Sequence, residues 1–159
     1  RCTMSTRILL VTGSRVLEGS PEQGDALEYL RLAISRFMPT VIVVGDARGP
    51  DAWAAEHVAI MAQSTKPIAL RLYSLDSWVT DEHAGTVRRW TTAEKFTPHD
   101  RNAAMVRETA AQRAKGAHVE VFGLEATWSG TRGTAHTLGK ARAAGLAITR
   151  ITFERSSER

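Results

Sequence analysis

The chain of 159 residues contains a single cysteine, Cys2. One thiol cannot build an internal disulfide framework or a multi-cysteine metal site, which excludes the stapled secreted scaffolds and the zinc ribbons. No apolar stretch approaches the ~18 residues that a transmembrane helix needs, so no membrane partner is expected. The segment "RILLVT" near the N-terminus is too short to be the apolar core of a signal peptide. Charge of one sign is scarce as well: 21 basic residues against 17 acidic ones leave a formal net charge of +4. Nucleic-acid binders carry a denser basic stripe than that, so DNA or RNA ranks behind a small anionic ligand as partner. Neither a Walker-type Gly-Lys-Ser/Thr loop nor a Gly-x-Gly-x-x-Gly turn occurs, which removes the main support for an NTPase or a dinucleotide dehydrogenase. A cytoplasmic location is expected. Met4 reads as the natural start, with Arg1-Cys2-Thr3 left from cloning or from an alternative start. The balanced charges of "ERSSER" suit a frayed tail, and residues 1–6 and 152–159 are expected to fray from a single domain spanning 1–159.

What is present is an alternation of short apolar runs with longer amphipathic ones. The runs Ile8–Thr12, Val41–Val44, Ile68–Tyr73, Val119–Phe122 and Leu146–Ile151 predict strands. Between the first two, Ser20 predicts an N-cap, with Pro21 in the first helical position and Gln23 completing a capping box; Leu27, Leu30, Ile34 and Met38 follow at helical spacing. A second helix is predicted from Gly49-Pro50 with Trp53, Val58 and Met61 along it. A third runs from Pro98 to Lys115, capped by Thr97 and stopped at Gly116, and a fourth from Thr134 to Ala144, stopped at Gly145. Strands alternating with helices define an α/β fold: a Rossmann-like, three-layer, doubly wound and mostly parallel sheet of about five strands. Residues 74–97 are polar, aromatic-studded and aperiodic, and predict a long functional loop.

In an open α/β sheet, ligands bind beyond the carboxyl ends of the strands. Four segments leave those ends or face them. They are Gly13-Ser14-Arg15 after the first strand, Gly45-Asp46-Ala47-Arg48-Gly49 after the second, Arg101-Asn102 inside the third helix, and Thr131-Arg132-Gly133-Thr134 after the fourth strand. Each carries an arginine. Glycines let a ligand approach the backbone, helix N-termini offer free N–H groups, and hydroxyls and guanidinium forks donate to phosphate oxygens. Arg15, Arg48 and Arg132 are therefore expected to meet phosphate with Ser14, Gly133 and Thr134, while Asp46 and Asn102 meet ribose. Tight turns need glycine whatever the function, and arginines at loop exits are often merely solvated.

Taken together, "ILLVTGSR", "VVGDARGPDAWAAE", "RNAAMV" and "SGTRGTAHTLGKARAAGLAI" resemble the YspA/YpsA-related branch of the SLOG superfamily over roughly residues 7–151. That superfamily includes the DprA/SMF DNA-processing proteins and the "lonely guy" phosphoribohydrolases. The family's Gly-Ser-Arg falls on Gly13, Ser14 and Arg15, and its Gly-Asp-Ala-Arg-Gly-Ala-Asp falls on Gly45 to Asp51 with Pro50 in place of alanine. An Asp-x-x-Trp-like element corresponds loosely to Asp76 or Ser77 before Trp78. Ala84-Gly85 matches an Ala-Gly that normally stands closer to Arg101-Asn102, and Thr131 replaces the serine of a Ser-x-Gly-Thr signature. The resemblance implies a Rossmann-like fold that binds or processes nucleotide-derived molecules such as ADP-ribose. The glutamate that phosphoribohydrolases place after their Gly-Thr is absent; His136 and Thr137 occupy that region.

Three functions follow as expectations: a binding module or sensor for a phosphorylated nucleotide-derived ligand, an N-glycoside hydrolase with Asp46 as acid or base, and a DprA-like binder of single-stranded DNA. No cofactor is implied, and no residue pattern specifies homo-oligomers. His57, His83, His99, His118 and His136 show no zinc spacing, so no metal is expected. His118 reads as structural, whereas His136 either faces the pocket or lies on a helix surface. Ser14 with His136 would be a nucleophile–base pair lacking a third, orienting group. Glu120, inside an apolar run, is at a sheet edge or paired. Trp53, Trp78, Trp90 and Trp128 either stack on a base or anchor their segments, with Trp128 favoured for stacking, and Met61 and Met105 read as core.

Overall fold

The computed structural model describes residues 5–82, 84–92 and 95–155; Cys2, Met4 and His83 lie outside them. Its elements follow the order β1 (Arg7–Gly13), α1 (Gln23–Phe37), β2 (Val41–Gly45), α2 (Pro50–Met61), β3 (Ala69–Tyr73), β4 (Trp78–Asp81), β5 (Thr86–Arg89), α3 (Pro98–Ala114), β6 (His118–Ala126), α4 (Gly133–Ala143) and β7 (Ala147–Phe153). The fold is α/β, with one mixed sheet of seven strands in the order β5-β4-β3-β2-β1-β6-β7. Five of them, β3, β2, β1, β6 and β7, run parallel to one another.

Alternation along each strand sorts the core into two layers, because successive side chains point to opposite faces. Leu9, Val11, Ile42 and Val44 pack against Leu30, Ile34, Trp53 and Val58 of α1 and α2. Ile8, Leu10, Val41 and Val43 pack against Met105, Val106, Leu138 and Ala141 of α3 and α4. Both faces of β1 and β2 are thus covered, as their unbroken apolar runs require. The chain leaves β1 towards β2 on one side, while β6 lies on the other. Their carboxyl ends therefore splay around the point where strand order reverses.

Several sequence expectations need correction. The sheet has seven strands and is mixed, where about five mostly parallel strands were expected. The extra two come from residues 74–97: β4 and β5 form an antiparallel hairpin, Trp78 opposite Arg89 and Val79 opposite Arg88, and β4 adds antiparallel to β3. All four residues of β5 are exposed, so no buried face imposed an apolar alternation. The hairpin is held by Trp90, which is buried and donates its indole N–H to the Ser74 carbonyl at 2.7 Å. Arg88 also reaches the Glu108 carboxylate of α3, which accepts from the Tyr73 hydroxyl as well.

At α1 the predicted capping box does not form. The helix begins at Gln23 without a side-chain cap. The Ser20 hydroxyl instead donates to the Leu17 carbonyl at 2.7 Å, and Gln23 Oε1 accepts the Gly19 N–H at 2.6 Å. Both side chains close the tight turn that follows a short 3-10 segment at Arg15–Leu17. Met38, expected in the helical stripe, is the left-handed C-cap (φ 52°) and is exposed. Met61 is only half-buried, whereas Met105 is core. In contrast, α3 starts at Pro98 behind the predicted cap Thr97, and Asp100 completes a reciprocal capping box with it. No helix among the described residues is long and apolar enough to cross a membrane.

Candidate functional site

The carboxyl ends of β1 and β2 and the N-termini of α2, α3 and α4 enclose a cavity of about 550 Å³. That is an ordinary size for a small-molecule site. Gly13, Ser14, Arg15, Asp46, Arg48, Arg101, Asn102, Thr131, Arg132, Gly133 and Thr134 all line it. Segments from four separate parts of the chain are therefore brought to one place. Gly45 and Gly49, the other two candidates, do not line it; they make its wall possible. A methyl group at Gly45 would sit 2.9 Å from Arg101 Cζ and 3.0 Å from Asp51 Oδ2, so a guanidinium and a carboxylate lie directly over that glycine. Gly49 has φ 83°, the left-handed region, and turns the loop into α2.

The arginines divide into two kinds. Arg101 is buried, ion-paired with Asp46 and bonded through Nε to Asn102 Oδ1 at 3.1 Å. Arg15, Arg48 and Arg132 are exposed and form no ion pair among the described residues. Two helices also present open N-termini to this region. The residues preceding α2 and α4, Gly49 and Arg132, make no side-chain cap. The first-turn N–H groups of such helices carry a positive partial charge and need an acceptor. The first turn of α2 contains Asp51, whereas that of α4 contains no acidic residue. The N-terminus of α4 thus brings Arg132, the hydroxyls of Thr131 and Thr134 and an uncapped first turn to one side of the cavity.

Asp46 has both oxygens engaged. Oδ1 meets Arg101, and Oδ2 accepts the Leu75 N–H at 2.9 Å. It ties the loop after β2 to α3 and to the turn before β4. Asn102 extends this brace by donating to the Gly133 carbonyl at 3.5 Å. Ser14 is buried, with its hydroxyl accepting the Ala126 N–H at 3.0 Å. No hydrogen bond joins Ser14 to His136, whose ring stacks instead on His99 at 4.0 Å between centroids. His118 opens β6 and is exposed, and Glu120 is half-buried beside β7. Trp53 and Trp90 are core, Trp78 is exposed on β4, and Trp128 lies under the guanidinium of Arg155. None of these tryptophans lines the cavity. Among the described residues no group of three or more His, Cys, Asp and Glu is placed to hold a metal ion.

Two titratable cavity residues escaped the sequence. Asp51 is buried, lines the cavity, and its Oδ1 has no hydrogen-bond partner. Burial raises its carboxyl from 3.8 to about 7, against the opposing pull of Arg101. It therefore exchanges a proton near neutrality. Its signal lay in the last position of "GDARGPD", but only the folded chain brings that residue beneath Arg101. The second is His99, in the first turn of α3. Its only sequence signal is its place directly after the cap Thr97 and Pro98.

No family model and no curated protein matches the chain. Fold and site together define an α/β protein with a cation-rich cavity at the carboxyl ends of its parallel strands.

Proposed function

We propose that this chain is a Rossmann-like, SLOG-type domain that binds a phosphorylated, nucleotide-derived small molecule, of which ADP-ribose is the type. One observation carries the reading: Arg15, Arg48 and Arg132, none ion-paired among the described residues, line one cavity beside the uncapped N-terminus of α4. Unpaired guanidinium groups and first-turn N–H groups together favour a ligand with phosphate oxygens. The resemblance of Gly13-Ser14-Arg15 and Gly45–Asp51 to SLOG motifs supports the same ligand class. Calorimetric titration with ADP-ribose, NAD and cyclic nucleotides tests it. Binding that weakens at least tenfold in Arg48→Ala is expected. No binding across the panel, or binding unchanged by that substitution, overturns the reading.

A second reading, hydrolysis of an N-glycosidic bond in such a ligand, is favoured by Asp51. A carboxyl that holds a proton near neutrality is suited to donate it to a departing base, and water then adds to the sugar carbon and returns a proton to the carboxylate. Asp46, the acid or base expected from the sequence, is occupied by Arg101 and Leu75. Chromatography of AMP incubated with the protein tests this reading. Released adenine that disappears in Asp51→Asn supports it, and no release removes it.

A further inference from the structure

The cations and hydroxyls account for only part of the cavity lining. Leu75, Pro98 and His99 also line it and offer no fixed charge to a phosphate. His99 is exposed, and it is the only aromatic ring among the lining residues. Its ring is not loose. The imidazole of His136 lies parallel to it, with centroids 4.0 Å apart and planes 8° apart. His136 itself does not line the cavity. The pair is therefore layered, with His136 behind and His99 towards the cavity. His136 lies near the start of α4, with a buried Nδ1 that has no hydrogen-bond partner. Burial, with the neighbouring His99 and Lys140, disfavours the charged form of the His136 ring.

A flat ring backed by a second ring is a preformed platform for a third. Every nucleobase has a π-face, and stacking on a protein ring makes few demands beyond planarity. Leu75 and Pro98 add apolar surface to the same cavity. The cavity thus combines phosphate-seeking chemistry on Arg15, Arg48, Arg132 and the start of α4 with base-seeking chemistry on His99. We propose that His99, backed by His136, is the residue on which the base of the bound nucleotide stacks, so that the site selects nucleotides over sugar phosphates. This inference rests on the anion-binding reading above and deepens it.

The test compares AMP with ribose 5-phosphate, which keeps the phosphate and ribose but lacks the base. Each is titrated calorimetrically into the whole chain, into His99→Ala, into His99→Phe and into Arg48→Ala. Base stacking of this kind is worth about 5- to 100-fold in affinity. AMP is expected to bind the unmodified chain tighter than ribose 5-phosphate by that margin. His99→Ala should abolish the margin and leave ribose 5-phosphate unchanged, and His99→Phe, which keeps a planar ring, should restore it. Arg48→Ala should weaken both ligands alike. Trp78→Ala, an exposed tryptophan outside the cavity, should change neither. Equal binding of AMP and ribose 5-phosphate, or equal loss of both in His99→Ala, overturns the stacking proposal while leaving the anion reading standing. Failure of both ligands to bind the unmodified chain overturns the two together.

Discussion

Arg101 and Arg48 line one cavity and live under opposite rules. Arg101 is buried, lies over Gly45, and has its charge answered by Asp46. Arg48 is exposed and unanswered within the described chain. A buried cation must have a partner, because its desolvation is otherwise too costly. An exposed one is solvated and remains available to a ligand. The same side chain is therefore scaffold in one place and ligand contact in the other. Sequence position alone cannot separate them, since both sit beside glycine, asparagine or aspartate near a helix start.

The largest effect that would break this comparison is on stability. Arg101→Met leaves the Asp46 carboxylate without its cation and removes the donor to Asn102, and should cost about 2–4 kcal/mol in denaturant unfolding. Arg48→Ala should stay within about 0.5 kcal/mol of the unmodified chain. Equal losses in the two variants would erase the distinction.

The next effect sharpens it through pH. Burial raises Asp51 to about 7, so the folded chain holds this proton more tightly than the unfolded chain, whose value is 3.8. The stabilisation this supplies is fully present below about pH 4 and is lost as pH rises through about 7. Asp51→Asn has no such dependence. Its stability should match the unmodified chain near pH 4 and exceed it at pH 8, by up to roughly 4 kcal/mol. Thermal unfolding of both proteins across that range gives the answer, and a gap that does not widen with pH would show that Asp51 is not held protonated.

A smaller difference is expected between helix starts. Thr97→Ala removes the reciprocal cap of α3 and should cost about 1 kcal/mol. Thr131→Ala, before the uncapped α4, should be near neutral for stability while weakening AMP binding severalfold. A loss of stability at Thr131 as large as that at Thr97 would mean that this hydroxyl serves the helix and not a ligand.

Much of the fold was legible because it depends on local periodicity. The runs Ile8–Val11 and Val41–Val44 are apolar throughout, which only strands covered on both faces require, and Thr97-Pro98 announces α3 before any tertiary contact is known. The hairpin of β4 and β5 was not legible. Thr86-Val87-Arg88-Arg89 buries nothing, so its strand character comes from pairing with β4 and not from its own composition. Ser20 illustrates a different failure. Its capping signature is real, but its hydroxyl closes onto Leu17 because the preceding turn is tighter than the sequence reveals.

At the site, the sequence by itself determined which residues stand where the first parallel strands end: Gly13 to Arg15 and Gly45 to Arg48 follow strands whose apolar runs mark their ends, whereas Thr131 to Thr134 follows β6, which continues to Ala126, past the expected Phe122. Only the tertiary structure decided what each one does there. Whether a carboxyl is protonated, whether an arginine is answered, and whether an imidazole has a second ring behind it depend on neighbours far away in the chain. Asp46 meets Arg101 across 55 positions, and His99 stacks on His136 from another helix. Periodicity is a property of adjacent residues, whereas charge and stacking are set by distance in space.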